Sequence, residues 1–169
     1  MILENIGVNL EETKAIVDKL KSQNVSNHKQ NYEETETKII EQKDTIRNLL
    51  MPESNQEEER LHAIASKLSA HIQTGFEKFD NVDDVIAYLE PIFQRGKVDK
   101  SYGRALILLE ENALIEQAKE HFKNSKASIK LLDYILTKLI ELSKDIMPKE
   151  YTEVLQIEKT YFKLLYNYN

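Results

Sequence analysis

The chain has 169 residues, which is long enough for one domain with a buried core. Apolar residues make up 41% and charged residues 31% of it, a balance that suits a folded, surface-rich protein and not a disordered one. The absence of cysteine excludes disulfides, thiolate metal sites and a cysteine nucleophile.

The net charge of −6 is unevenly distributed, with −6 over residues 51–90 and +2 over residues 91–169. An acidic middle argues against nucleic-acid binding, because phosphate contacts need clustered Lys and Arg. The longest purely apolar run, residues 105–109, is far shorter than the roughly 20 residues of a membrane span. The N-terminus also lacks the basic start and apolar block of a signal peptide. We therefore expect a soluble, cytoplasmic protein.

Glycine and proline are scarce, and apolar residues recur at helical spacing between them. These breakers are Gly7, Pro52, Gly75, Pro91, Gly96, Gly103 and Pro148. Because Gly and Pro are the strongest local breakers, their scarcity predicts an all-α fold of a few long helices. We expect an elongated helical bundle, a single structural unit overall. Residues 1–50 would form a coiled-coil or hairpin segment and residues 54–169 the bundle proper.

Near the N-terminus, apolar residues follow the alternating three- and four-residue spacing of a coiled-coil seam, which includes Leu10, Val17 and Leu20. The seam stops before the polar stretch 21–38. Two structures are open there: one long helix with a polar middle, or a helical hairpin that turns near Asn24–Asn31. The apolar edge of this helix must be buried against a partner helix or against the rest of the fold, since short isolated helices are marginally stable.

Polar residues that can cap a helix precede the later apolar stripes: Ser54 with Glu57 as a capping box, Asp80 or Asn81, Asp99 or Ser101, and Asn124. We expect Gly75 to end or kink the first of these helices, and Pro91 with Gly96 to close the second. The helix at about 126–146 is apolar on two sides, which predicts a place at the centre of the bundle. Pro148 allows one more helix to start.

The last helix ends in an aromatic tail: Tyr151, Tyr161, Phe162, Tyr166 and Tyr168. Tyrosine is enriched in interface cores, because it combines a large apolar body with a polar tip. Two interpretations are open, a partner-binding surface or packing within the chain. Tyr161, Phe162 and Tyr166 are therefore candidate partner-binding residues, together with the seam residues Leu10, Val17 and Leu20.

Little in the sequence points to catalysis or metal binding. Glu59-x-x-His62 is half of the di-iron bundle motif, but it has no second copy and is read as a solvated helix turn. Glu110 and Glu111 diverge by about 100° on a helix and are expected on the exposed surface. No glycine-rich phosphate loop, nucleophile elbow or His-Glu-x-x-His motif occurs in the sequence. We predict no catalytic residue, no cofactor and no metal.

Two segments resemble a known family. Residues 83–91, Asp-Asp-Val-Ile-Ala-Tyr-Leu-Glu-Pro, are similar to an acidic-aliphatic Tyr-Leu-Asp-Pro segment of the small helical shoulder subunit of dynactin. After a linker of comparable length, residues 107–117, Ile-Leu-Leu-Glu-Glu-Asn-Ala-Leu-Ile-Glu-Gln, resemble that family's Ile-Leu-x-Glu-Glu segment. A competing likeness, with residues 121–125 in a plausible place, is to the N-terminal helical rods of vesicle-tethering subunits such as those of exocyst. Both resemblances imply a non-catalytic subunit of a large cytoplasmic, in the first case cytoskeletal, assembly.

The sequence thus predicts a non-enzymatic helical scaffold or adaptor that binds protein partners by helix packing in a hetero-oligomeric complex. A subunit of a vesicle-tethering complex is one alternative. The others are a stand-alone regulatory or chaperone-like bundle, and a carboxylate and histidine metal protein that uses Glu59 and His62.

Overall fold

A computed structural model describes residues 28–52 and 54–167, together with the isolated positions 11, 14, 15 and 18. The elements within it are all helical, which confirms the predicted all-α class: α1 (His28–Leu50), α2 (Asn55–Lys78), α3 (Val82–Val98), α4 (Lys100–Ala105), a π-helical turn (Leu106–Glu110), α5 (Glu111–His121), α6 (Ser125–Ile146) and α7 (Lys149–Asn167). None of these helices is long and apolar enough to cross a membrane.

The first helix, α1, runs without interruption through the second half of the polar stretch. Tyr32, Ile39 and Ile46 are buried along it at intervals of seven residues, so that one narrow stripe faces the core. The alternative hairpin would turn near Asn24–Asn31. Residues 28–31 of that range are helical and belong to α1, while residues 21–27 lie outside the described part of the chain.

The predicted caps are present at four helix starts. In each, a side-chain oxygen accepts a hydrogen bond from a backbone N–H two or three residues later, at 2.8–3.2 Å: Ser54, Asn81, Asp99 and Asn124. Each bond satisfies one of the N–H groups that a helix start leaves without a helical acceptor. Capping therefore sets the position of these helix starts locally.

Of the two outcomes expected for Gly75, an end or a kink of its helix, an end is wrong, since α2 continues to Lys78. The glycine is a contact point instead. A Cβ atom at this position would lie 2.3 Å from Cδ1 of Tyr88. Gly75 thus leaves room for the Tyr88 ring to pack directly on the backbone of α2.

Pro91 and Gly96 do not close their helix either, because α3 runs through both of them to Val98. A proline inside a helix costs about 3 kcal/mol. Burial of one large apolar side chain contributes about 1.5–3 kcal/mol, and α3 buries four. These are Val85, Leu89, Ile92 and Phe93. Tertiary packing therefore outweighs the local preference of the proline to break the helix.

The π-helical turn joins α4 to α5 along one continuous helical path. A π turn holds more residues than an α turn, so the side chains that follow it are displaced around the axis. Glu111 is the first residue after the turn, and it is completely buried.

As its two apolar sides predict, α6 is the central helix. It packs against α3, α4, α5 and α7. Its buried apolar residues span both predicted sides: Leu131, Leu132, Ile135, Leu136, Leu139 and Leu142. In turn, α7 packs against α1, so residues 28–50 share one hydrophobic core with the helices that follow.

Two glycines mark the close approach of α3 and α4. A Cβ atom on Gly103 would lie 2.6 Å from the Gly96 carbonyl oxygen and 2.8 Å from Cδ1 of Ile146. A Cβ atom on Gly96 would first meet a Leu142 methyl group, at 3.3 Å. A methyl group can rotate away, whereas a backbone carbonyl inside a helix cannot.

We expect Gly103→Ala to lower the free energy of unfolding by about 1–3 kcal/mol, because the added methyl group forces the two helices apart. Gly96→Ala should change it by less than about 1 kcal/mol, since the gain in helix propensity offsets the tight contact with Leu142. Urea unfolding followed by far-ultraviolet circular dichroism measures both. Equal effects of the two substitutions would contradict the close backbone approach.

Candidate functional site

Four charged side chains meet in the interior of the bundle, a place where charge is normally excluded. Lys43 and Arg47 come from α1, Glu111 from α5 and Glu158 from α7. The side chains of Lys43 and Glu111 are 0% exposed, that of Glu158 2% and that of Arg47 6%. Together with Tyr151 of α7, which hydrogen-bonds to Glu111, they form what we call the ionic cluster.

The Lys43 ammonium group joins the two carboxylates. Its Nζ donates to both oxygens of Glu158, at 2.7 and 2.8 Å, and lies 3.1 Å from Oε2 of Glu111. One cation from α1 therefore binds an anion from α5 and an anion from α7. This contact ties three helices together at one point.

Glu111 Oε2 is the most crowded atom of the ionic cluster. It accepts hydrogen bonds from the Tyr151 hydroxyl at 2.7 Å and from Arg47 Nη2 at 3.1 Å, in addition to the contact with Lys43. Glu111 Oε1 and Arg47 Nε, in contrast, are buried without a hydrogen-bond partner among the described residues. A buried polar atom without a partner costs about 1–3 kcal/mol, so the charges are held together at some expense of stability.

Arg47 continues the network toward the surface. Its Nη2 donates to Oδ1 of Asn112 at 3.0 Å, and its Nη1 lies 3.5 Å from Oδ1 of the half-exposed Asp44. Its guanidinium carbon also lies 5.9 Å from the centre of the Tyr151 ring. Among the described residues, Arg47 is the most exposed of the four charged members of the cluster, and its outer partners, Asp44 and Asn112, connect the cluster to the surface.

The sequence places these charges on the apolar stripes of their helices. Lys43 follows Ile39 by four residues and precedes Ile46 by three, and Glu158 occupies the equivalent place on α7. When α1 and α7 bury their stripes against each other, they must bury these charges as well. Removing each ion from water costs several kcal/mol. This cost is offset by the attraction between the two cations and the two anions, which requires that they contact one another.

Burial raises the pKa of the Glu158 carboxyl above its ordinary value, because the carboxylate loses its hydration. The charge of Lys43 opposes this shift, and that of Glu111 adds to it. Burial, with the negative charge of Glu111, also raises the pKa of Tyr151 well above its usual range. Tyr151 therefore stays protonated and donates to Glu111. With its acidic groups enclosed, the ionic cluster can orient helices, but it offers no open surface to a substrate.

The structure places Tyr161 and Phe162 in the core, each 1% exposed. The Tyr161 hydroxyl donates to the Tyr32 carbonyl oxygen at 3.0 Å, and the rings of Tyr161 and Phe162 are 5.1 Å apart. Of the two interpretations of the aromatic tail, packing within the chain describes these two residues, so they do not present a docking surface. Tyr166 is partly buried and packs against the same core.

The other predicted partner-binding residues, Leu10, Val17 and Leu20, lie outside the described residues, and the seam that they form stays a prediction.

Glu59 and His62 are exposed on α2, at an open pocket of about 480 Å³. The histidine Nε2 lies 3.7 Å from Oε1 of Glu58. In the described part of the chain, no group of three or more His, Asp or Glu side chains is arranged to hold a metal ion. The exposure of both residues agrees with a solvated helix turn.

The expectation for Glu111 is wrong, since this residue is fully buried, while Glu110 is only partly buried. Sequence reasoning also missed Lys43, Arg47 and Glu158. The available signal was their position on apolar stripes. That signal is weak for Lys and Arg, because long basic side chains usually reach past an apolar stripe to solvent.

The fold and the ionic cluster together define an all-α helical bundle whose interior is organised by buried ion pairs. In comparisons with protein-family models, curated proteins and solved structures, nothing matches this chain.

Lys43→Met removes one cation and leaves Glu158 buried without its partner. We expect it to lower the free energy of unfolding by about 3–5 kcal/mol, and Lys43→Met with Glu158→Met to recover much of that loss, because the pair is removed as a neutral unit. Lys130→Met is the control, since Lys130 pairs with Asp83 at 2.6 Å on the surface, with side chains 57% and 69% exposed. Its cost should stay below about 1 kcal/mol. Equal costs for the two lysines in urea unfolding would contradict the role of the cluster.

The cost of Lys43→Met should also depend on pH. Without Lys43, the pKa of Glu158 rises further, so the folded variant keeps a proton that the unfolded chain releases above its ordinary pKa of 4.5. Since the folded state then binds more protons, its stability falls as pH rises, and the gap to the unsubstituted protein widens between about pH 5 and about pH 8. Urea unfolding at both pH values measures this gap. A gap that stays constant or narrows would contradict the burial of an ionised Glu158.

Proposed function

We propose that this chain is a non-enzymatic scaffold or adaptor subunit of a larger cytoplasmic assembly that binds protein partners by helix packing. The observation that carries the proposal is the attachment of α1 to α5 and α7 through Lys43. Buried ion pairs add little net stability compared with apolar residues, but they can specify one register between helices. A protein that arranges partners in a fixed geometry needs such a register.

The proposed binding element is the N-terminal seam. The residues that form it precede α1 in sequence, and the ionic cluster anchors α1 to the bundle. Leu10, Val17 and Leu20 repeat at the spacing of a coiled coil, which suits a partner helix with the same apolar repeat. In this proposal the bundle supports the seam, and the seam binds the partner helix.

The assembly that we propose is dynactin-like, and a vesicle-tethering complex is the alternative. The support is the resemblance of residues 83–91 and 107–117, which belong to α3 and to the helical path from the π turn into α5. An all-helical fold agrees with a shoulder-type or rod-type subunit of either assembly.

We expect Leu10→Asp with Leu20→Asp to abolish co-purification of partners with the tagged full-length chain, because a buried seam does not accept unpaired charge. The free energy of unfolding of the bundle should not change. Ala15→Asp with Ser22→Asp is the matched control, since both residues lie off the seam at its spacing and the pair adds the same two negative charges.

Partners that remain bound to the seam variant, identified by mass spectrometry, would contradict the proposal. Light scattering tests the alternative of a stand-alone regulatory or chaperone-like bundle. That alternative requires a monodisperse particle without partners. Metal analysis of the purified protein tests the metal alternative, which requires a stoichiometric transition metal.

A further inference from the structure

A second site lies on the surface, formed by α2, α3 and α4. It is a pocket of about 420 Å³ that shares no residue with the ionic cluster. Lys67 and His71 are one helical turn apart on α2, and Pro91 and Arg95 are one turn apart on α3. Basic side chains thus line the pocket from two helices.

The rest of the lining is apolar and aromatic. Leu68 and Ile92 are buried core residues that reach the pocket, and Tyr102 of α4 is 7% exposed. Ligand pockets typically combine such walls with a few polar groups and hold about 300–1,000 Å³. The pocket has the size and the mixed lining of a site for a small organic group that carries a charge.

The two cations of the pocket have no carboxylate partner among the described residues. Within the residues that the structure describes, no carboxylate lies within 4.0 Å of Lys67 or Arg95. Three other lysines that bridge helices, in contrast, each lie 2.8–3.4 Å from a glutamate: Lys97, Lys119 and Lys138. On a chain with a net charge of −6, this pocket concentrates unpaired positive charge.

Aromatic contacts restrain two of the basic side chains. The Arg95 guanidinium carbon lies over the Tyr102 ring, 4.4 Å from its centre, which is the distance of a cation–π contact. His71 Nδ1 lies 3.0 Å from the hydroxyl oxygen of Tyr88, the ring that packs on Gly75. Restraint before binding lowers the entropy lost when a ligand is bound.

We propose that this pocket binds a phosphate monoester, with Lys67 and Arg95 at the phosphate and Tyr102 and Ile92 against the organic part. A monoester carries a charge of about −1.5 to −2 at neutral pH, which matches two permanent cations. Arginine and lysine also form strong, charge-assisted hydrogen bonds with phosphate oxygens. The ester belongs either to a phosphorylated side chain of a partner protein or to a free small molecule. The inference does not depend on the scaffold role.

The test is an NMR titration of the ¹⁵N-labelled full chain with phenyl phosphate as the probe. We expect saturable shifts of the backbone amide signals of Lys67, His71, Arg95 and Tyr102. Lys67→Gln with Arg95→Gln should weaken binding by about tenfold or more. Both side chains are exposed, so the substitutions should leave the fold intact. Lys123→Gln with Lys126→Gln, which removes the same charge from exposed positions outside the pocket, should bind phenyl phosphate like the unsubstituted chain.

A phosphoserine peptide and inorganic phosphate distinguish the two sources. Tighter binding of the phosphopeptide than of both inorganic phosphate and phenyl phosphate, with no binding of the unphosphorylated peptide, supports a protein partner. Phenyl phosphate that binds at least as tightly as the phosphopeptide supports a small phosphate ester. The absence of saturable phenyl phosphate binding, or equal affinities of the two double variants, overturns the proposal.

Discussion

Lys43 lies within 3.1 Å of carboxylate oxygens from two different helices, in a position with no access to solvent. Two buried carboxylates would repel each other without it, and a buried ammonium group would be equally costly without them. With Arg47, the charges sum to zero, so each member of the ionic cluster depends on the others. Separation of α1 from α5 and α7 would break the contacts of Lys43 and Arg47 with the two carboxylates, Glu111 and Glu158. The rest of the bundle is built around this constraint.

The apolar core and the ionic cluster stabilise the bundle in different ways. Apolar burial around α6 supplies most of the stability, but it is non-directional and tolerates small shifts between helices. Hydrogen-bonded charges are directional: Glu111 Oε2 meets a hydroxyl, a guanidinium and an ammonium group in one arrangement. The core therefore favours a compact bundle, and we propose that the ionic cluster selects one register of α1 within it. For the scaffold role that we propose, that register would set the position of a partner bound to the N-terminal seam.

Charged side chains have a different role in the surface pocket than in the ionic cluster. Inside, Lys43 and Arg47 are matched by carboxylates of the same chain, so the ionic cluster has no net charge to offer a ligand. In the pocket between α2, α3 and α4, Lys67 and Arg95 lie near aromatic and apolar walls without a carboxylate from the described residues. Matched charges fix the fold, and unmatched charges at a concave surface are available to a partner or ligand.

The sequence by itself determined the all-α class, the capped helix starts and the central place of α6, because capping and apolar periodicity are local properties. Local rules failed at Gly75, Pro91 and Glu111. The first two lie inside helices because packing outweighs a local breaker. Glu111 is buried because its charge partners, Arg47 and Lys43, are 64 and 68 positions away in sequence. Only the tertiary structure decided which charges are buried, since burial of an ion is favourable only when distant partners meet it.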